Sequence, residues 1–377
     1  MIPHDSLQNH GTLVFGLNPA VQRRVDLAAP LTVGGVNRVA LETVSYGGKG
    51  QDFAVAWAQL VQRAGHGASL PCTLAQFIGR GAAGDVLLQQ LASAGVDCRA
   101  TVRVAVEQRI ATTYVSEGGS GVATEIVGRA GLVTASETAA LCASVRTYCE
   151  GGAVAALAVM GSSPPGVDAT FVALLISEYA RAGTRVLLDS VSALRENLAA
   201  CASVGAVAVL KLNLDELCAL SAMRPAPPVP PHSSRARAEE SRLGAAAAAA
   251  LRVFHGAPAL AWIAATDGAR PSVLFRRGED GQCRLFTAPP LGALDLAAVN
   301  PIGAGDAVSA GMLYQWAADT AAADTAARCA TMVRAFRFGL ACGAASCCTP
   351  TNSVFAADAC EALDGAIAVT CVDVAVS

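Results

Sequence analysis

Asn300-Pro301-Ile302-Gly303-Ala304-Gly305-Asp306 is the stretch on which the reading of this chain turns. Two glycines flank an alanine and an aspartate follows at once. From there Val308, Met312 and Trp316 recur at i, i+4 and i+8, one face of an α-helix. The pattern predicts a tight turn feeding a helix N-terminus. There the backbone N–H groups of Gly303, Ala304 and Gly305 can face an anion, with Asp306 beside it as a base. Donors for a phosphate's charge and a carboxylate for a hydroxyl's proton are what phosphoryl transfer needs. An ordinary turn with a helix-capping Asp has the same letters, so the rest of the chain must decide.

The surroundings read as alternating strands and helices. Short apolar runs at Thr12–Leu17, Leu74–Ile78, Ala156–Met160, Arg185–Leu188, Val207–Leu210 and Leu260–Ala264 are strand candidates. Helix candidates are Gln51–Arg63, Gly84–Ala94, Asp168–Ala182 and Asp306–Trp316. In the first of these, Phe53, Ala56, Trp57 and Leu60 make an i, i+3, i+4, i+7 stripe. Repeated alternation predicts an α/β fold, a mainly parallel sheet with helices on both faces. Val21–Tyr46 and Arg99–Val127 alternate in polarity and read as exposed strands outside that sheet, such as a lid. Pro225–Arg242 is Pro-rich and then mixed in charge, and reads as a loop insertion before the helix-forming run Ala245–Ala250.

Bulk numbers bound the alternatives. The chain has 377 residues, 53% of them hydrophobic, enough for a large core. A net charge of −3 with 15% charged residues offers no basic surface for nucleic acid. The longest apolar runs fall short of the ~18–20 residues of a membrane span. Thirteen scattered cysteines without a Cys-x-x-Cys pair read as reduced, buried residues of a cytoplasmic protein. The five histidines do not cluster with them as a zinc site would require.

Three further segments carry chemistry. Gly47-Gly48-Lys49-Gly50 precedes a helix, lets a ligand approach the backbone and adds a cation; it is not a Walker A loop. Asn213-Leu214-Asp215-Glu216 follows a strand, where a carboxylate suits a ligand or a Mg²⁺-bound water. The same four residues also fit a capping box, and both readings can hold together. Asn18-Pro19 ends the first strand, and Arg109 in the expected lid suits a sugar phosphate if it points inward.

With these pieces in order, the chain resembles the PfkB/ribokinase-like carbohydrate kinases. The landmarks are Asn18-Pro19-Ala20, Gly34-Gly35-Val36-Asn37-Arg38-Val39, Gly47-Gly48-Lys49-Gly50, Phe77-Ile78-Gly79-Arg80-Gly81, Gln108-Arg109-Ile110, Gly161-Ser162-Ser163-Pro164-Pro165-Gly166-Val167, Leu187-Leu188-Asp189-Ser190, Lys211 to Glu216, and Gly303 to Asp306. The branch it looks most like holds fructose-1-phosphate kinases, tagatose-6-phosphate kinases and the minor bacterial phosphofructokinase. The resemblance implies one domain over the whole chain, a three-layer ribokinase-like core with a small β-sheet lid. It implies ATP and Mg²⁺, a sugar or sugar-phosphate substrate and, by the family's habit, a homodimer. It casts Asp306 as base and Gly303, Ala304 and Gly305 as the anion hole. Lys211, Asn213, Glu216, Thr266 and Gly268 fall on the nucleotide side, Glu216 holding Mg²⁺ through water. Asn18, Gln22, Gly47, Gly48, Lys49, Asp52 and Arg109 fall on the sugar side, with Lys49 and Arg109 together on the sugar's phosphate.

The chain departs from the branch at named positions. Gln22 stands where an Asp usually grips sugar hydroxyls, and Asp52 where an Asn is usual. The nucleotide-side loop Ile263-Ala264-Ala265-Thr266-Asp267-Gly268 keeps only its last glycine, and Pro301 replaces a Thr. Two other readings therefore stay open: a kinase for an unphosphorylated sugar or nucleoside, and a catalytically weak sugar-binding or regulatory protein on the same scaffold.

Overall fold

The computed structural model describes residues 11–373 apart from 65–70, 117–122, 150–153, 222–234, 258–259, 279–282, 290–293, 295, 297 and 320–323. The chain opens with β1 (Thr12–Phe15), β2 (Ala20–Leu27), β3 (Val39–Gly47), α1 (Lys49–Ala64), β4 (Cys72–Arg80), α2 (Gly81–Ser93), β5 (Thr101–Glu107), β6 (Ile110–Ser116) and β7 (Ala123–Val127). It continues through α3 (Ala135–Cys149), β8 (Ala156–Met160), α4 (Phe171–Tyr179), β9 (Arg185–Asp189), α5 (Leu194–Ser203), β10 (Val207–Asn213) and α6 (Leu214–Leu220). Last come α7 (Arg235–Gly256), β11 (Trp262–Thr266), β12 (Ser272–Arg277), β13 (Cys283–Ala288), α8 (Ala304–Ala318), α9 (Thr325–Cys347), α10 (Ala357–Ala366) and β14 (Thr370–Asp373).

Ten strands form one sheet in the order β5-β4-β1-β8-β9-β10-β11-β12-β13-β14. It is parallel from β5 to β11 and antiparallel from β11 to β14. Side chains alternate between the faces with the strand period of two. Leu13 and Phe15 of β1, with Leu157 and Val159 of β8, join the core under α3, α4, α5, α6 and α7. Val14, Ala158 and Met160 join the opposite core, under α1, α2, α8, α9 and α10. Helices on both faces are why these strands read as continuous apolar runs. The stripe Phe53, Ala56, Trp57 and Leu60 is buried as its spacing requires, and Trp57 stacks on Phe53 and meets Tyr314 of α8 edge-on. Helix α8 is apolar almost all round because it lies deep in this second core.

A separate four-stranded sheet, β3-β2-β6-β7, forms the lid. The segment Arg99–Val127 divides: β5 pairs with β4 at the edge of the large sheet, and only β6 and β7 belong to the lid. An edge strand and a lid strand are both half-exposed, so polarity alternates in either. The Pro-rich insertion is shorter than its sequence suggests. Residues 222–234 lie outside the described residues, but helix α7 begins at Arg235, so 235–242 is helix rather than loop.

The strand order turns between β1 and β8: from β1 the chain builds through β4 to β5 on one side, then from β8 to β11 on the other. A crevice at the carboxyl ends of such strands is where open α/β sheets bind ligands.

Candidate active site

The carboxyl ends of five parallel strands supply the site: Asn18 after β1, Ser162 after β8, Asp189 at the end of β9, Lys211 and Asn213 in β10, and Thr266 at the end of β11. Helix α8 points its N-terminus at them. Its N-cap, Gly303, has φ 79°, a left-handed conformation that glycine adopts without strain. A side chain at Gly303 would also meet Ser353 Oγ at 2.5 Å. The expectation of three outward N–H groups is corrected in part. The N–H of Ala304 bends back to the carbonyl of Pro301 at 3.2 Å, and that of Asp306 to Gly303 at 3.0 Å. The N–H groups of Gly303 and Gly305 have no acceptor among the described residues.

Asp306 lies in the first turn of α8, 9% exposed. Burial, and then repulsion from Asp189, push its carboxyl up to about 7, against the pull of Lys211 and Lys49. A base that titrates near neutrality is matched to taking a hydroxyl's proton.

The centre of the site is Asp189, which sequence reading passed over as a mere landmark. It is fully buried and accepts from Lys49 Nζ at 2.8 Å on Oδ1, and from Lys211 Nζ at 3.0 Å and Ser309 Oγ at 2.7 Å on Oδ2. Burial alone would raise its pKa, but Lys211 and Lys49 outweigh burial and hold it below the usual carboxylate range. Asp189 thereby fixes two ammonium groups beside Asp306. The signal that would have found it is a carboxylate closing a parallel strand, the argument already applied to Glu216.

Lys49 also reaches Glu216 Oε1 at 2.9 Å, tying the glycine loop to β10 and α6. Burial opposes its charge, yet Asp189, Asp306 and Glu216 together raise its pKa above the ordinary value. The capping box is present: Asn213 Oδ1 accepts from the Glu216 N–H at 2.7 Å, and Glu216 Oε2 from the Asn213 N–H at 2.9 Å. One side chain thus both caps α6 and faces the site. Lys211 Nζ lies 3.0 Å from where a Cβ on Gly305 would stand, over the glycine turn.

Of the residues expected on the sugar side, Lys49 and Arg109 do not share a partner. Lys49 is held by the two carboxylates, whereas Arg109 donates from Nε to the Pro19 carbonyl at 3.0 Å and from Nη2 to the Asn18 carbonyl at 2.5 Å. Asn18 Nδ2 bonds Ser162 Oγ at 3.0 Å, and Gln22 Nε2 bonds Thr113 Oγ1 at 2.8 Å inside the lid. Gly47 pairs with Ala20 across the lid, and a Cβ there would press on Gln22 at 2.8 Å. Gly48 has φ 109°. Gly50 permits α1 to lie against β1, since a Cβ there would come within 2.3 Å of Gly16 Cα. Asp52, in the first turn of α1, is 3% exposed.

Of the residues expected on the nucleotide side, Thr266 stands in register with Asn213, and Gly268 turns the chain with φ 58°. Beside them an apolar cleft is lined by Leu214, Leu243, Ala246, Ala265 and Val273, with the Arg242–Asp267 ion pair at 2.5 Å on its wall. No group of three or more His, Cys, Asp or Glu among the described residues makes a metal cage. A cation that keeps its waters and rides on nucleotide phosphates needs only one or two carboxylates, and Glu216 fits that part.

A pfkB family carbohydrate kinase profile matches residues 21–355. No curated protein sequence matches the chain. Among solved structures, phosphofructokinase-2 from Escherichia coli in complex with substrates and products is similar with TM-score 0.67 and 21% identity, over 94% of this chain and 99% of that one. A possible 1-phosphofructokinase from Thermotoga maritima has TM-score 0.67 and 17% identity, over 97% and 100%. A ribokinase from Thermotoga maritima has TM-score 0.57 and 16% identity, over 94% and 99%. At these identities the likeness is one of fold.

Proposed function

From its place in the pfkB family of carbohydrate kinases, to which this chain belongs, we propose that it transfers a phosphoryl group from MgATP to a hydroxyl of a small sugar phosphate. The acceptor class is fructose-1-phosphate, fructose-6-phosphate or tagatose-6-phosphate. The observation that carries the reading is Asp306, a carboxyl titrating at about 7 in the first turn of a helix whose entry is a glycine turn flanked by Lys211 and Lys49.

Asp306 takes the proton of the attacking hydroxyl. The N–H groups of Gly303 and Gly305, with the dipole of α8, receive charge on the transferring group. Lys49 and Lys211, pre-set by Asp189, add positive charge without reorganising during the step. Glu216 orders the water shell of Mg²⁺, which when bound neutralises the donor phosphates. Lys211, Asn213, Thr266 and Gly268 line the nucleotide's path, and the apolar cleft beside them suits its base. Asn18, Gln22, Gly47, Gly48 and Arg109 face the sugar, with the lid above to exclude water. The outer lid strands leave Val39, Leu41 and Ile126 exposed, a face suited to a second copy of the chain. A cytoplasmic setting belongs to the same proposal.

One observation favours a second reading, a kinase for a neutral sugar. Lys49 and Arg109 are each engaged by protein groups and do not converge on a shared phosphate seat. Release of ADP from MgATP, screened across fructose and the three sugar phosphates, separates the two. Turnover with a sugar phosphate supports the first; turnover with neutral sugar alone supports the second. Sugar binding without any ADP would mean a binding protein on this scaffold.

A further inference from the structure

Cys342 of α9 and Cys360 of α10 face one another with their sulfurs 3.3 Å apart, eighteen positions apart in sequence. Both residues are buried. Cys342 lies in the run Leu340-Ala341-Cys342-Gly343, where small residues let α9 press on α8; a Cβ on Gly311 would stand 2.6 Å from its Sγ. Cys360 is on the inner face of α10, whose outer positions Asp358, Glu361 and Ala362 are exposed. Ion pairs fix how α10 lies. Arg337 of α9 donates from Nε and Nη2 to the two oxygens of Asp364, each at 2.9 Å, and Arg63 of α1 pairs with Glu361. Asp364 is one helical turn from Cys360, so the bidentate pair also aims Cys360 at Cys342.

As packing, two thiols in contact do what two small apolar groups would do; what they add is reactivity. A disulfide has an S–S bond of about 2.05 Å, so an approach of about 1 Å closes the gap. The two thiols are unequal. Contact with Cys342, helped by the Arg63 charge, lowers the Cys360 pKa against burial, while burial holds Cys342 well above the ordinary value.

We propose that Cys342 and Cys360 are a reversible redox pair, closed by hydrogen peroxide into a disulfide that fastens α10 to α9 and reopened by a dithiol. The Cys360 thiolate attacks one peroxide oxygen; the O–O bond breaks, leaving a sulfenic acid and hydroxide. The Cys342 thiolate then attacks the Cys360 sulfur; the S–S bond forms, the S–O bond breaks and a second hydroxide leaves. The two thiol protons convert both hydroxides to water, so the thiols lose two electrons and one peroxide gains them. Brief openings of α10, a helix of ten residues, admit the oxidant. This pair is independent of the kinase reading.

The test treats the full, folded chain with hydrogen peroxide, alkylates the remaining thiols and cleaves before Asp358, which parts Cys360 from Cys342. Mass spectrometry should find the two peptides joined by a bond that a dithiol reduces, and the joined pair should be absent from Cys360→Ser and from Cys342→Ala. A joined pair that survives in Cys342→Ala uses another cysteine and overturns the inference. So does its absence from the oxidised wild type, or its formation only in urea. The oxidised wild type should melt several degrees above the reduced form, because the closed loop restricts the unfolded chain, and the dithiol should reverse the shift. Cys360→Ser should show no such difference. Equal melting of the two wild-type forms overturns the fastening of α10. Should Cys342→Ala fail to fold, Cys360→Ser on the outer helix decides in its place.

Discussion

Replacing Asp189 with Asn removes the carboxylate that both Lys49 and Lys211 bond directly. Lys211 feels this most: its side chain is only 4% accessible, Asp189 is 0% accessible, and their contact is 3.0 Å. Breaking a buried ion pair by deleting one partner typically costs about 3–5 kcal/mol, because the other charge stays buried and unpaired. Two features soften the loss. The amide still accepts a hydrogen bond, and Lys49, 33% exposed, keeps Glu216 at 2.9 Å. We therefore expect a loss near the lower end, about 3 kcal/mol, a large share of the ~5–15 kcal/mol that domains possess. Urea unfolding of both proteins at equal pH measures it. A second consequence is independent of stability. Asp189 is the main charge that raises Asp306, so its removal should lower the Asp306 pKa and move the acid limb of kcat/KM to lower pH. A variant that loses less than about 1 kcal/mol and keeps the wild-type limb would refute the idea that Asp189 organises the site.

Other expectations follow from the same geometry. In the wild type, kcat/KM should fall as pH drops through about 7, because protonating Asp306 removes the base; a flat profile from pH 8 to 6 would contradict that role. Glu216→Gln should leave thermal stability nearly unchanged, since Gln also serves at the third position of a capping box, while the Mg²⁺ needed for half-maximal rate rises. Unaltered Mg²⁺ dependence would leave Glu216 a structural residue alone, the cap of α6 and the partner of Lys49. Arg109→Ala should raise KM for a sugar phosphate about tenfold with little effect on ATP, and equal losses for phosphorylated and neutral sugars would remove Arg109 from the phosphate seat.

Much of this architecture was open to reading because burial on both faces leaves a plain mark. Strands such as Ala156–Met160 and Arg185–Asp189 are short apolar runs because helices cover the sheet on either side. The α1 stripe was equally direct. The misreadings have local causes. Thr101–Glu107 alternates like a lid strand because it is the edge of the large sheet. Residues 235–242 carry mixed charge, which looks like a solvated loop though it forms the first turns of α7. At the candidate site, Asp306 and Glu216 stand out in the sequence because turn and cap chemistry is local. Asp189 was not found as the centre because its partners Lys49 and Lys211 lie 140 and 22 residues away. Nothing local in sequence reveals, for the same reason, that Lys49 is held by Asp189 and Glu216 while Arg109 is held by the Asn18 and Pro19 carbonyls.

The central claim is that Asp306 is the base of a phosphoryl transfer to a sugar hydroxyl. The direct measurement is turnover of wild type and Asp306→Asn at saturating MgATP and sugar phosphate, following ADP and the doubly phosphorylated sugar together. The account predicts equimolar products from the wild type and a kcat lower by about 10²–10⁴-fold in the variant, with both KM values and the unfolding curve little changed. Near-full turnover by Asp306→Asn, with both products formed, would contradict it.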